Sequence, residues 1–146
     1  RRALGLRKHS PRHRPTAPLQ LVKSYWWWIA GAFVCIGIFA LALNDTIYLV
    51  TSPPSLGWHV PLRKFYSVLA FALVGIIGRL GSQALSIRNS PLTQVFVVAI
   101  FSGLIEIAQR IDGSPEDFDS NLFDIACGAL GGVIASALPI RLPGIR

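Results

Sequence analysis

The sequence has few charged residues: Asp, Glu, Lys and Arg make up 14% of its 146 residues, whereas 52% are hydrophobic. Soluble domains carry about 25% charged residues, so this composition largely excludes an ordinary soluble enzyme. Methionine is absent, and we therefore do not expect residue 1 to be the first translated residue. The two cysteines each lie inside an apolar run, which argues against a disulfide framework. A chain of this length supplies one domain, and we expect a membrane domain.

Four apolar runs approach the length that crosses a hydrocarbon core of about 30 Å. They are residues 25–43, 65–80, 92–108 and 122–138. Clusters of Pro, Gly, Asn and Ser separate them, at 52–57, 81–91 and 112–115. No run alternates with a period of two, which excludes membrane-spanning strands. The sequence predicts an all-α integral membrane four-helix bundle over residues 25–138, with a basic tail at 1–24 and a short tail at 139–146.

Basic residues are unevenly distributed over the loops of this topology. Seven precede the first helix, two flank the second connection and two lie in the carboxyl-terminal tail, whereas the opposite side has only Arg63, Lys64 and Arg110. Basic loops favour the cytoplasmic side, so we expect both termini in the cytoplasm. We expect the basic tail to bind anionic lipid, with a docking arm for a cytoplasmic protein as the alternative. Nucleic acid is not an expected partner.

Two helices carry polar side chains that a lipid-facing surface should not contain. In the third run Ser102, Glu106 and Gln109 recur at helical spacing, and in the fourth Asn121 and Asp124 precede small residues. Small residues allow helices to approach closely, so we expect these faces to pack together. The predicted packing residues are Gly128, Gly131, Gly132 and Ala135. The predicted polar pocket, at the outer end, comprises Tyr66, Ser102, Glu106, Gln109, Arg110, Asn121 and Asp124.

Glu106 and Asp124 are the candidates for acid or base chemistry, because an ionisable residue within the membrane is by default a functional hypothesis. No His or Ser is placed to complete a nucleophilic arrangement, which favours a protein that is not an enzyme without excluding one. A structural alternative stays open: Glu106 precedes Arg110 by four residues, the favourable order for an ion pair on a helix. No metal site is expected, because the histidines lack ligand spacing.

Four aromatic residues begin the first run: Tyr25, Trp26, Trp27 and Trp28. Indole rings favour the headgroup level of a bilayer, so an aromatic belt is the simpler interpretation. Three consecutive tryptophans point in three directions around a helix, so one of them could instead contact a partner subunit, a lipid or a pigment. Apart from such a contact, no cofactor is predicted.

The expected helices contain three distinctive features: Tyr66 at the start of the second, an E-x-x-Q element at Glu106 and Gln109, and a G-A-x-x-G element at 128–132. Together with the acidic loop and the order of four helices, they resemble the VanZ-like family of small bacterial membrane proteins. The resemblance covers about residues 25–138. It implies a multi-pass protein of the bacterial cytoplasmic (inner) membrane, within the cell envelope, and it transfers no catalytic residue. Where the family usually has a His four residues before the Tyr, this sequence has Leu62.

Two functions stay open at this point. The favoured one is a non-enzymatic accessory or assembly subunit of a larger membrane complex, for example respiratory or photosynthetic, with the aromatic cluster and small-residue faces as contact surfaces. The alternative is a protein acting on a lipid or glycolipid at the outer membrane face, as in glycopeptide-resistance-type VanZ proteins. Transport is disfavoured, because no ionisable residue lies deep in the expected bundle. The expected partners are therefore membrane lipids and membrane-protein subunits.

Overall fold

The computed structural model of the chain describes residues 17–113 and 118–141, and every regular element in these ranges is a helix. The helices are α1 (Ala17–Ala42), α2 (Asp45–Thr51), α3 (His59–Ala84), α4 (Pro91–Ile111) and α5 (Phe118–Ala137). All except α2 are long and apolar enough to cross a membrane. The prediction of an all-α chain with four such helices is confirmed, and their length and composition indicate a multi-pass membrane protein. The cytoplasmic placement of the termini stays a prediction, and residues 1–16 and 142–146 of the two tails lie outside the described residues.

Helix α3 is longer at both ends than the predicted run of 65–80. It begins at His59 and passes through Pro61, which is tolerated because the first turn of a helix needs no intrahelical donor there. It also continues through Gly81 and Ser82, which the sequence analysis placed in a loop. The hydroxyl of Ser82 donates to the carbonyl of Gly78 at 2.9 Å, inside the helix. Gly81 therefore does not end α3.

The short helix α2 was not predicted. Its first turn is capped by Asn44, whose Oδ1 accepts a hydrogen bond from the backbone N–H of Ile47 at 3.2 Å. A helix of seven residues is too short to register as a hydrophobic run. Helix α4 begins as its sequence suggests: Ser90 caps it by accepting from the N–H of Thr93 at 3.0 Å, and Pro91 occupies the first turn.

Helix α5 packs against α3 and α4 through glycines that leave no room for a side chain. A Cβ added at Gly131 would lie 2.7 Å from the backbone nitrogen of Ala72 on α3. A Cβ added at Gly132 would lie 2.8 Å from the Cα of Val95 on α4. Such contacts bring helix backbones together, which is the main source of helix association in lipid. Ala135, on the same helix, is fully buried.

Helix α1 joins this group through contacts with α3 along much of its length. The indole ring of Trp28 lies over Gly81, where an added Cβ would be 3.3 Å from the ring. Further along, Ile38 and Phe39 pack against the buried cluster that includes Phe71. No residue of the α1 segment from Tyr25 to Ala42 is buried, so α1 is the outermost long helix.

Arg79 closes the carboxyl end of α5. Its Nη1 donates to the backbone carbonyls of Ala135 and Ser136 at 2.9 Å and of Leu138 at 2.6 Å. The last carbonyls of a helix have no intrahelical donor, and a cation there also complements the helix dipole. Arg79 of α3 therefore holds two helices together.

We expect Gly131→Ala to lower the free energy of unfolding by about 1–3 kcal/mol, because the new methyl group would overlap the backbone of α3. Unfolding of the purified chain in detergent measures this loss. Gly78→Ala is the matched control, since a Cβ there meets nothing within 4 Å. We expect that control to be neutral or slightly stabilising. Equal losses in both variants would contradict the close approach of α5 to α3.

Candidate functional site

A cavity of about 350 Å³ lies at the end of the bundle that carries α2. We call this end the α2 end; it also contains the carboxyl ends of α1 and α4 and the amino ends of α3 and α5. All five helices contribute to the lining. The residues are Ile38, Leu41, Ala42, Ile47, Thr51, Arg63, Lys64, Tyr66, Ser67, Ala70, Phe71, Ile105, Glu106, Gln109 and Asp124.

Lys64 of α3 and Asp124 of α5 form an ion pair, and both residues line the cavity. Only 19% of the Lys64 side chain and 13% of the Asp124 side chain are exposed. The ammonium group also lies 5.7 Å from the centre of the Phe123 ring, close enough for a cation–π attraction. Largely desolvated charges interact more strongly than charges in water, so this pair ties α3 to α5 at the α2 end.

A second cation and a second carboxylate line the same cavity. Arg63 precedes Lys64 on α3, and Glu106 projects from α4 with 9% of its surface exposed. Neither Arg63 nor Glu106 is without a partner. The cavity lining therefore contains two cationic and two anionic side chains, with the cations on α3 and the carboxylates on α4 and α5.

The structure brings together four of the seven predicted pocket residues: Tyr66, Glu106, Gln109 and Asp124 line the cavity. The amide of Gln109 donates to the carbonyl of Ala42 at 2.8 Å, which attaches α4 to the end of α1.

The other three predicted residues do not line it. Ser102 is fully buried and donates to the backbone carbonyl of Asp124 at 2.9 Å, so it joins α4 to α5 beside the cavity. Asn121 is half-buried outside the lining. Arg110 is exposed, and its ion pair with Glu106 stays a prediction.

Sequence reasoning missed Arg63 and Lys64, which it assigned to a loop and used only to infer orientation. The signal was present in the spacing: Lys64, Ser67 and Phe71 follow one another at three and four residues, one face of a helix. Starting α3 at His59 places these basic residues on that face, whereas starting it at residue 65 excludes them.

The predicted packing glycine Gly128 lies at a close helix contact, and the four aromatic residues of α1 differ in exposure. Gly128 approaches Ser102, where an added Cβ would lie 2.4 Å from the Ser102 Cβ. Tyr25 and Trp26 are exposed, at 58% and 67% of their surfaces, and Trp27 is half-buried. Trp28 packs on α3, so the aromatic cluster is not simply a belt facing lipid.

Nothing in the described part of the chain groups three or more His, Cys, Asp or Glu side chains suitably for a metal ion. Cys35 and Cys127 are free thiols on separate helices, half-buried and buried respectively. The cavity chemistry therefore rests on its charged side chains and its apolar surface.

Comparison of the chain with protein-family models, with curated proteins and with solved structures gives no match. The resemblance to the VanZ-like family stays a prediction.

We expect Lys64→Gln and Asp124→Asn to be strongly coupled, because either change alone leaves a largely desolvated charge without its partner. The double variant should be more stable than the sum of the single losses predicts, by about 1–3 kcal/mol. Unfolding of the four proteins in detergent measures this coupling.

Arg110 supplies the control, since it is exposed and does not line the cavity. Arg110→Gln combined with Asp124→Asn should give an additive loss. Additive losses for Lys64 and Asp124 would contradict a stabilising ion pair between them.

Proposed function

We propose that this multi-pass membrane protein binds the polar end of a lipid-like amphiphile in the cavity at the α2 end. The observation that carries the proposal is the combination, in one cavity, of two cationic side chains, two carboxylates and an apolar lining, with Lys64 and Asp124 paired. A cavity needed only for packing would have no reason to be lined by four charged groups, since desolvating charge is costly.

Polarity changes with depth along the α3 wall. Arg63 and Lys64 lie near the start of α3, and Ala70 and Phe71 follow about two turns further into the bundle. That distance is about 10 Å at the rise of an α-helix. Ile38 and Ile105 add to the apolar part. Polar groups at the helix ends and apolar groups towards the middle match an amphiphile whose headgroup stays near the membrane surface.

The size of the cavity also fits this class of ligand. Small-molecule sites span about 300–1,000 Å³, and a cavity of about 350 Å³ is near the lower limit. It has room for a headgroup and the adjoining part of a lipid, whereas long acyl chains would lie outside along the exposed apolar helix faces. Membrane lipid is thus the ligand class that the proposal favours.

The proposal is for binding and not for catalysis. Asp124 is held by Lys64, and no histidine occurs among the described residues that line the cavity. General acid–base chemistry needs a group placed to exchange a proton with the reacting atom. Glu106 and Asp124 are therefore proposed as headgroup ligands.

The VanZ-like resemblance supports the same location. Tyr66, Glu106 and Gln109, which carry part of that resemblance, all line the cavity. We propose on this basis a divergent VanZ-like protein of the bacterial inner membrane. With the termini in the cytoplasm, the α2 end and its cavity would face the outer leaflet.

A cavity-filling substitution tests ligand binding directly. Ala70→Phe places a ring in the apolar part of the cavity and should weaken phospholipid binding by at least about tenfold. Retention of phospholipid by the delipidated chain, titrated with lipid in detergent and followed by native mass spectrometry, measures this change.

Leu69→Phe is the matched control on the adjacent position, because Leu69 is 51% exposed and does not line the cavity. It should leave lipid retention unchanged. Equal retention in wild type and Ala70→Phe would place the bound lipid elsewhere and contradict the proposal.

An accessory role in a larger membrane complex is a second candidate, favoured by the position of α1. No residue between Tyr25 and Ala42 is buried, although a third of α5 is. Trp28 fixes the start of this segment on α3, which presents Tyr25 and Trp26 outward in a defined position. Aromatic side chains held in this way are typical of contact hot spots.

We expect the double variant Tyr25→Leu, Trp26→Leu to release the chain from a native complex while leaving it in the membrane, because anchor residues contribute most of the contact energy. Co-migration after extraction in gentle detergent measures this. Phe96→Leu, an exposed aromatic position on α4, is the control and should have no effect. Unchanged co-migration of the double variant would favour a lipid belt.

A further inference from the structure

We propose, on the basis of the lipid-binding function above, that the headgroup recognised by the cavity is zwitterionic, with one phosphate and one primary ammonium group. The charges that line the cavity are balanced: Arg63 and Lys64 against Glu106 and Asp124. This balance separates a phosphoethanolamine-type headgroup from the anionic headgroups that a basic site would select.

None of the four charged residues lacks an interaction within the protein. Lys64 and Asp124 are paired with each other. A headgroup can bind to Lys64 or Asp124 only by exchanging partners. An anionic headgroup that takes Lys64 leaves the carboxylate of Asp124 desolvated and unpaired, which is unfavourable.

A zwitterionic headgroup avoids this cost because it supplies both charges. Its phosphate can accept hydrogen bonds from Lys64 while its ammonium group donates to Asp124. The total number of ion pairs then rises, and no buried charge loses its partner. Charge-assisted hydrogen bonds of this kind are among the strongest in proteins.

The two signs of charge come from different helices. Both cations lie on α3, whereas the carboxylates lie on α4 and α5. When the contact between Lys64 and Asp124 opens, a headgroup with separated phosphate and ammonium can bind between a cationic and an anionic side chain. A scattered arrangement would not favour a dipolar ligand.

The carboxylates of the cavity favour a primary ammonium over a quaternary one. Glu106 and Asp124 offer carboxylate oxygens, which accept hydrogen bonds from N–H groups. A trimethylammonium group has no N–H to donate and is recognised instead by aromatic faces. The two carboxylates of the lining thus favour ethanolamine over choline.

The test uses the full chain, delipidated in detergent, with three phospholipids of identical acyl chains: phosphatidylethanolamine, phosphatidylglycerol and phosphatidylcholine. We expect phosphatidylethanolamine to bind at least about tenfold more tightly than either of the others, a difference of about 1.4 kcal/mol. Native mass spectrometry of competing lipids measures the ratio. Equal binding of the three lipids, or preference for phosphatidylglycerol, would overturn the headgroup assignment.

Substitution of one charge should change the preference in a defined direction. Asp124→Asn removes the negative partner and leaves Lys64 free, so phosphatidylglycerol should bind as well as or better than phosphatidylethanolamine. Lys64→Arg keeps the charge and should keep the wild-type preference. An unchanged headgroup preference in Asp124→Asn would overturn the assignment. If Asp124→Asn fails to fold, the preference for phosphatidylethanolamine is tested in the wild type and in Lys64→Arg, and its absence there would overturn the assignment.

Failure of this inference is distinguishable from failure of lipid binding. If the three lipids bind equally and Ala70→Phe blocks all of them, the cavity binds lipid but does not select a zwitterion. If none binds, or if Ala70→Phe has no effect on any, lipid binding in the cavity itself is wrong. Soluble phosphoethanolamine that competes as strongly as the lipid would show a free headgroup compound as the ligand, and would contradict the lipid assignment.

Discussion

The close contact between the glycine face of α5 and its two neighbours determines the rest of the structure. In lipid, burying apolar side chains gives little drive for helices to associate, so tight packing must supply it. Gly128 meets Ser102 of α4, and Gly131 meets Ala72 of α3, at distances that admit no side chain. Asp124 lies one turn before Gly128 on the same face. The face that brings the helices together in the middle of the bundle thus ends in a carboxylate at the α2 end, beside the cavity.

Most polar side chains inside the bundle support this packing. Ser102 and Gln109 each donate to a carbonyl of a neighbouring helix, Gln94 donates to Gly75, and Arg79 closes the end of α5. An intramembrane polar residue is therefore not by itself a sign of function, because an unsatisfied backbone or side-chain group in lipid is costly. The ion pair of Lys64 and Asp124 differs from these bonds, because both of its partners are charged side chains that line the cavity.

Hydropathy and residue size were sufficient to predict the four long helices, since each must be apolar over most of its length. Helix ends were less predictable. Pro and Gly usually interrupt helices, but Pro61 and Gly81 occupy positions where a helix tolerates them. The first lies in the opening turn, and the second lies beneath Trp28. This error concealed two of the four charged residues that line the cavity. With α3 started too late, Lys64 belonged to a loop, and its pairing with Asp124, sixty residues later, could not be inferred from local spacing.

The walls of the cavity differ in how firmly they are held, and this bears on ligand selection. Helices α3, α4 and α5 meet through backbone contacts at the glycines, which fixes the positions of the charged residues that they carry. Helix α1 has no buried residue between Tyr25 and Ala42 and is held chiefly by Trp28 at one end and by the bond from Gln109 to the Ala42 carbonyl at the other. All four charged residues of the cavity lie on the firmly packed helices, whereas α1 contributes only Ile38, Leu41 and Ala42.

Charged side chains that are already held in place recognise a headgroup without an entropic cost of ordering these side chains. An apolar helix held by fewer contacts can adapt to the rest of the lipid. The cavity should consequently discriminate between lipids by their headgroups.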